Sequence, residues 1–245
     1  MRITVFKPKS KFNPRGEKMN PKIISAAVLS LVFIVSAYQT ETATQADAPA
    51  PTSKSDAEKI VTDADAVKNA LNVGGKMPSF SLQDSEGKTV SSDELLKKSN
   101  LVVIFYRGVW CPFCNLYLQS LQRDAEKIKA AGGEIVAISV ENPDKSSGVA
   151  KKNELRFTVL SDPNLEVARK FGIVYELPKE TDEQYKSKGL EVAENNEMGK
   201  AELPLGATYI VRQTGEIVYA FLDTDYKKRA EPEAIIENLK KIKNE

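Results

Sequence analysis

The two cysteines of this 245-residue chain stand three positions apart, in the segment FYRGVWCPFCNLYL that runs from Phe105 to Leu118. A cysteine thiolate is a strong nucleophile, and a second thiol one helical turn away can attack a sulfur adduct formed on the first. Pro112 suits the first position of a helix, which would put Cys111 at the helix N-terminus. Free N–H groups and the helix dipole favour a negative charge there, so the sequence predicts a lowered pKa for the Cys111 thiol.

The pair therefore predicts a redox cycle in which Cys111 is the nucleophile and Cys114 is the resolving residue. Cys111 would attack a disulfide or a peroxide, and Cys114 would convert the adduct into a redox-active Cys111–Cys114 disulfide. The other interpretations are a structural disulfide and a buried apolar pair. A disulfide that closes so short a loop would add little stability. A metal site would need ligands from a second chain, because there is no further cysteine and no histidine. We expect neither a metal nor a cofactor.

Composition excludes several other classes of function. Without histidine, the chain can use neither Ser-His-Asp nor Cys-His catalysis. The net charge of +1 divides unevenly, because residues 1–22 carry seven basic side chains and one acid. The rest of the chain is mildly acidic, which argues against nucleic acid as a partner.

The N-terminal part has the pattern of an export signal. The uncharged run from Ile23 to Tyr38 follows a basic flank and contains Val35-Ser36-Ala37, so residues 1–37 predict a signal peptide cleaved after Ala37. An N-terminal membrane anchor is the alternative, although the run is shorter than the roughly 20 residues of a spanning helix. Residues 38–55 predict a disordered linker, and residues 56–245 the folded domain. We therefore expect an exported protein, periplasmic or extracytoplasmic, which could remain tethered to the membrane.

The cysteines lie where a predicted strand meets a predicted helix, and these two elements must position them. Leu101–Tyr106 and Glu134–Val140 are continuous apolar runs typical of buried strands, and Cys114–Ile128 has one apolar helix face. This order predicts a parallel strand–helix–strand unit. Further predicted elements are a helix over 57–71, a hairpin over 80–90, a short helix from Ser92, a helix over 144–153, a strand over 157–160, a helix over 164–171, a hairpin of 207–211 and 216–221, and a helix from Glu231 to Ile242.

These elements predict an α/β fold with a mixed central sheet and helices on both faces. Several stretches resemble the AhpC/TSA (alkyl hydroperoxide reductase/thiol-specific antioxidant) family, the peroxiredoxin-like branch of the thioredoxin fold. They are Met77–Leu82, FYRGVWCPFC, Leu160–Ile173, Leu203–Phe221 and Asp223–Leu239. The resemblance implies a thioredoxin-like three-layer fold and a thioredoxin-dependent, peroxiredoxin-type peroxidase. Such an antioxidant enzyme would reduce hydrogen peroxide or organic hydroperoxides and be regenerated by a thioredoxin-like or other thiol reductant.

The chain departs from that family at three positions. The family pattern Pro-x-x-x-Thr-x-x-Cys meets Ile104 and Gly108 here, and the position of the family's peroxide-binding arginine is taken by Gly206. Arg107 could instead stabilise the thiolate or the peroxide. The Cys-x-x-Cys motif after Trp110 is closer to that of disulfide oxidoreductases.

Two further functions therefore stay open. One is a thioredoxin-like thiol-disulfide oxidoreductase (a protein-disulfide reductase) that acts on disulfides of exported proteins. The other is a tethered binding domain whose cysteine pair has no catalytic role. No role is predicted for the polar insertion over residues 178–202.

Overall fold

The computed structural model of the chain describes residues 61–196 and 199–243. The predicted signal peptide or anchor (1–37) and the predicted linker (38–55) lie outside the described residues. Among the helices of the described ranges, none has both the length and the apolar character that a membrane span requires.

A seven-stranded mixed sheet forms the centre of the described domain, in the order β2-β1-β5-β4-β3-β8-β9, and β6 and β7 form a separate pair. The strands are β1 (Ser81–Asp84), β2 (Thr89–Ser91), β3 (Asn100–Tyr106), β4 (Gly133–Ser139), β5 (Thr158–Ser161), β6 (Val174–Glu176), β7 (Glu202–Pro204), β8 (Thr208–Val211) and β9 (Ile217–Phe221).

Helices cover both faces of this sheet, as the sequence predicts. They are α1 (Asp63–Asn69), α2 (Ser92–Leu96), α3 (Pro112–Ala130), α4 (Pro143–Lys152), α5 (Glu166–Lys170), α6 (Lys179–Lys186) and α7 (Pro232–Lys243), with a 3-10 turn at Val192–Asn195. On one face, α3 and α7 pack with β3 through residues such as Leu121, Leu239 and Ile104. On the other face, side chains such as Phe105 and Phe171 form the larger core. The three-layer arrangement is confirmed.

The central strand β3 carries the chain to the cysteines. Leu101 to Tyr106 are buried, because this apolar run has helices on both sides. β3 pairs with β4 in parallel and with β8 antiparallel, so Val103 lies between Val136 and Tyr209. The parallel pairing follows the predicted strand–helix–strand unit, whereas the pairing of β3 with β8 was not predicted. Parallel pairing places the carboxyl ends of β3 and β4 at one edge of the sheet, and the cysteine loop begins there.

Several boundaries differ from the prediction. α1 begins at Asp63, after a capping box between Thr62 and Asp65, and ends at Asn69 rather than at residue 71. α5 begins at Glu166 rather than at residue 164, because Leu165 adopts a left-handed backbone conformation with φ 56°. The insertion over 178–202 is not a plain loop: it contains α6 and the 3-10 turn, and its last residue opens β7, which pairs with β6.

Candidate active site

Cys111 and Cys114 occupy the positions that the sequence predicts. Cys111 is the N-cap of α3, Pro112 is its first residue, and Cys114 lies within the first turn. Both residues are free thiols and almost fully buried, with 1% and 0% of their surfaces exposed. The structure is therefore that of the dithiol form.

A chain of amide side chains holds the cysteine loop in place. Asn115 Nδ2 donates to the carbonyl oxygens of Val109 at 2.6 Å and Cys111 at 3.1 Å. Asn153, just after α4, donates to Asn115 Oδ1 at 3.0 Å and accepts from Gln119 Nε2 at 2.9 Å. Sequence reasoning missed these residues, because a single Asn after the motif gives no signal of such a network. The network fixes the backbone that presents Cys111.

Arg107, predicted as a possible source of positive charge, is buried with 2% of its surface exposed. Its guanidinium lies 4.3 Å from the ring centre of Tyr226, 4.8 Å from that of Trp110 and 5.5 Å from that of Tyr185. It donates from Nη2 to the Tyr185 hydroxyl at 2.7 Å, whereas its Nε finds no partner among the described residues. A cation enclosed by aromatic rings keeps its charge in a dry environment. Arg107 is therefore not a solvated loop residue, because these rings exclude water.

Tyr185 comes from α6, so the insertion contributes to the surroundings of the site. Its ring also packs on Trp110, with ring centres 5.9 Å apart. Tyr226, from the loop before α7, also contacts the Arg107 guanidinium, and its ring centre lies 5.8 Å from that of Phe113. Neither tyrosine was singled out from the sequence, since nothing in the spacing links these segments to the cysteines.

The two thiols ionise as a pair. The pKa of Cys111 is raised because its thiol hydrogen-bonds to Cys114 and because it is buried. Burial also opposes the charge on Cys114, but the hydrogen bond from Cys111 and the positive charge of Arg229 outweigh it and lower the Cys114 pKa to about 6. The predicted lowering at Cys111 is therefore not found, because a helix-terminus argument treats one thiol and here two sulfurs share a proton. The first negative charge resides on Cys114.

Arg229 is the cation nearest to that charge. Its Nη2 lies 3.6 Å from Cys114 Sγ. The guanidinium also lies against Gly206, where an added Cβ would come within 2.5 Å of Arg229 Cζ. The resemblance places the family's arginine at residue 206, and the structure brings a different arginine to that space. The Asp223–Leu239 segment was matched by the resemblance, but no spacing pattern indicates that Arg229 reaches α3.

Glu141 is a second charged residue that sequence reasoning missed. It follows β4 and is fully buried, and its Oε2 accepts a hydrogen bond from the Val109 N–H at 2.8 Å. Oε1 has no partner among the described residues. Burial is the main cause that raises the pKa of this carboxyl to about 7. At neutral pH the site therefore contains a carboxyl group that can hold or release a proton.

Gly108 is required by this arrangement. Its φ is 143°, and an added Cβ would lie 2.5 Å from Trp110 Nε1 and 2.9 Å from Glu141 Cδ. The threonine of the family pattern would not fit here. Within residues 61–196 and 199–243, no group of three or more acidic or cysteine side chains could hold a metal ion.

A model of the AhpC/TSA family matches residues 73–220. The chain is 35% identical to the chloroplastic peroxiredoxin Q of Populus jackii over 121 residues, which are 48% of this chain and 56% of that protein. It is 33% identical to the peroxiredoxin Bcp of Escherichia coli K12 over 105 residues, which are 43% of this chain and 67% of that protein.

Solved structures show the same fold. The peroxidoxin BcpB of Mycobacterium tuberculosis superposes with a TM-score of 0.58 at 18% identity, covering 70% of this chain and 98% of that one. A peroxiredoxin Q of Xanthomonas campestris superposes with a TM-score of 0.53 at 17% identity, covering 66% and 90%. The predicted thioredoxin-like α/β fold is thereby confirmed.

Proposed function

We propose that this chain, which belongs to the AhpC/TSA family, is a peroxiredoxin-type thiol-dependent peroxidase and that Cys111 is its peroxide-reducing thiol. The observation that carries the assignment is the position of the two thiols, with Cys111 as the N-cap of α3 and Cys114 in its first turn. Arg107, a buried cation on the same loop, supports it by favouring negative charge at Cys111.

The cycle begins when Cys111 passes its proton to the Cys114 thiolate. The Cys111 sulfur then attacks one peroxide oxygen and the O–O bond breaks. The departing hydroxide or alkoxide takes up the proton held by Cys114, which is then a thiolate again. Cys111 becomes a sulfenic acid. Cys114 attacks the Cys111 sulfur, the S–O bond breaks, and hydroxide leaves and is protonated to water. The products are the Cys111–Cys114 disulfide, water, and an alcohol or a second water.

A thiol reductant completes the cycle by reducing the disulfide. A thioredoxin-like dithiol protein has the required chemistry, because one of its thiolates can attack a sulfur of the disulfide and its second thiol can resolve the mixed disulfide. Hydrogen peroxide and organic hydroperoxides are the proposed substrates. Purified protein should consume peroxide only when such a reductant is supplied, and Cys111→Ser should abolish the turnover.

Disulfide exchange is the second candidate function, and the Trp110-Cys-Pro-Phe-Cys114 sequence favours it. Peroxide consumption and insulin reduction should be measured on the same preparation of reduced protein. We expect peroxide turnover to be the faster reaction. Rapid insulin reduction without peroxide turnover would reverse the order of the two functions.

Export is proposed from the sequence alone. The uncharged run from Ile23 to Tyr38, after a basic flank, supports a signal peptide or an anchor. Expression of the full chain followed by cell fractionation tests this: a processed product outside the cytoplasm, or a membrane-bound full-length chain, is expected. Full-length protein found only in the cytoplasm would contradict export.

A further inference from the structure

Arg229 stands in the loop between β9 and α7, and its side chain turns inward toward α3. Nη1 donates to the carbonyl oxygen of Lys228 at 2.7 Å, and Nη2 points to Cys114 Sγ at 3.6 Å. The guanidinium lies 5.9 Å from the ring centre of Tyr117. Nε is buried without a partner among the described residues. Cys114 is thus the reactive group that this cation contacts.

Gly206 provides the space for the guanidinium. An added Cβ would lie 2.5 Å from Cζ, 2.6 Å from Nη1 and 2.7 Å from Nη2 of Arg229. Real Cβ atoms do not approach so closely, so any other residue at 206 would displace the arginine. The backbone at the start of β8 is therefore shaped to accept this side chain.

The loop that carries Arg229 is ordered on both sides. Asp223 accepts the Asp225 N–H at 2.8 Å and the Lys228 Nζ at 3.1 Å. The Lys228 N–H closes a turn on the Asp225 carbonyl at 2.9 Å. Ala230, the next residue, is buried at 1% exposure and packs with α7. Arg229 is consequently held near the sulfur at a small further cost in conformational entropy.

Within the described part of the chain, Arg229 makes no ion pair with a carboxylate. Its charge is therefore not neutralised by an acid. A cation so close to a buried sulfur favours the thiolate over the thiol, since the site is shielded from water.

We propose that Arg229 keeps the resolving residue Cys114 as a thiolate, ready to attack Cys111 as soon as a sulfenic acid forms there. This inference rests on the proposed peroxidase function and assigns the second of its steps. The Cys114 sulfur supplies the electron pair of the new S–S bond, the S–O bond of Cys111 breaks, and the hydroxide takes a proton from solvent.

Fast resolution has a protective consequence. A sulfenic acid that waits for its partner can react with a second peroxide and become a sulfinic acid, which a thiol reductant does not reverse. If Arg229 is removed, more Cys114 is neutral and the waiting time increases. Loss of the arginine should then appear as irreversible oxidation of Cys111.

The first test measures the ionisation of Cys114 without any peroxide. In a Cys111→Ser background Cys114 is the only thiol, and its thiolate absorbance in the near ultraviolet can be followed against pH. Arg229→Met should raise the Cys114 pKa by about 1 to 3 units, as expected for loss of an adjacent opposite charge. Arg229→Lys, which keeps the charge, should shift it less.

Arg123→Met is the matched control, because Arg123 is an exposed arginine of α3 nine residues beyond Cys114. Nine residues of helix correspond to roughly 14 Å along the axis. We expect no change in the Cys114 pKa in this variant. An unchanged pKa in Arg229→Met would overturn the proposal. Should that variant fold poorly, Arg229→Gln, which also removes the charge, takes its place under the same criterion.

The second test measures resolution itself, in proteins that retain both cysteines. Reduced wild type, Arg229→Met, Arg229→Lys and Arg123→Met are exposed to excess peroxide, and the fraction of Cys111 present as sulfinic acid is determined by peptide mass spectrometry. Arg229→Met should show several-fold more sulfinic acid than wild type and Arg123→Met. Equal fractions in all proteins would overturn the role in resolution.

The two tests also separate this inference from the proposed function. If wild-type Cys111 does not react with peroxide, the peroxidase assignment fails and Arg229 has no sulfenic acid to act on. The thiolate titration still reports whether Arg229 stabilises Cys114, since it needs no peroxide.

Discussion

At the scale of single residues, two glycines leave space that distant side chains occupy. Glu141, after β4, lies over Gly108, and Arg229, before α7, lies over Gly206. The resemblance implies a threonine at position 108 and an arginine at position 206, and this chain has glycine at both. Sequence reasoning found Cys111, Cys114 and Arg107 because a motif marks them, but it could not find residues that reach the site only through the tertiary fold.

Gly108 should be much less tolerant of a side chain than an ordinary turn glycine. We expect Gly108→Ala to lower the free energy of unfolding by about 2–4 kcal/mol, because strained backbone and overlap with buried atoms add together. Gly87→Ala is the matched control, since Gly87 also has a positive φ but no atom within 4 Å of the added Cβ. Urea denaturation measures both. Similar losses for the two variants would show that the space over residue 108 is not filled.

Glu141 should make stability depend on pH. Its folded-state pKa is raised, mainly by burial, to about 7, so its stabilising contribution is complete below the unfolded-state value near 4.5 and is lost as the pH rises through 7. Glu141→Gln stays neutral. We expect its free energy of unfolding, relative to wild type, to increase by on the order of 2 kcal/mol between pH 5 and pH 8. Urea denaturation at both pH values checks this, and a pH-independent difference would contradict it.

At the scale of elements, the strand–helix–strand unit of β3, α3 and β4 was predictable from sequence because its apolar patterns are long and regular. The elements around the insertion were not. α6 has no buried residue and therefore no apolar stripe, and β6 and β7 have three residues each. Their place is set by tertiary contacts, above all by Tyr185 against Arg107 and Trp110.

The contact between α6 and the cysteine loop should be measurable through one hydroxyl. Tyr185→Phe removes the acceptor for Arg107 Nη2, and we expect a loss of about 1.5–3 kcal/mol in the free energy of unfolding, as for hydrogen bonds to charged groups. Tyr226→Phe is the control, because the Tyr226 ring contacts the same guanidinium but its hydroxyl makes no hydrogen bond to it. Equal effects of the two variants would argue against the hydrogen bond.

At the scale of the whole molecule, the sheet brings three separate segments to one pair of sulfurs. They are the loop after β3, α6 with its tyrosine, and the loop before α7 with Arg229. The parallel strand–helix–strand unit and a mixed sheet with helices on both faces could be predicted, since alternation of strands and helices restricts the topology. The meeting of these segments could not, because it depends on side-chain packing.

Because both thiols are buried in the same turn, oxidation should stay within one chain. The local concentration of Cys114 at Cys111 far exceeds that of any second molecule. We expect one equivalent of peroxide to give a Cys111–Cys114 disulfide and no covalent dimer on a non-reducing gel, with peptide mapping to identify the bond. Disulfide-linked dimers of wild-type protein would contradict an internal cycle.

The attack of Cys111 on peroxide can be followed through the fluorescence of Trp110. This residue is the sole tryptophan of the chain and immediately precedes Cys111. Reduced wild type, Cys114→Ser and Cys111→Ser are mixed with peroxide in a stopped-flow fluorimeter. We expect a phase whose rate increases with peroxide concentration in the first two proteins and no such phase in Cys111→Ser. A peroxide-dependent phase of undiminished rate in Cys111→Ser would show that Cys111 is not the thiol that reacts with peroxide.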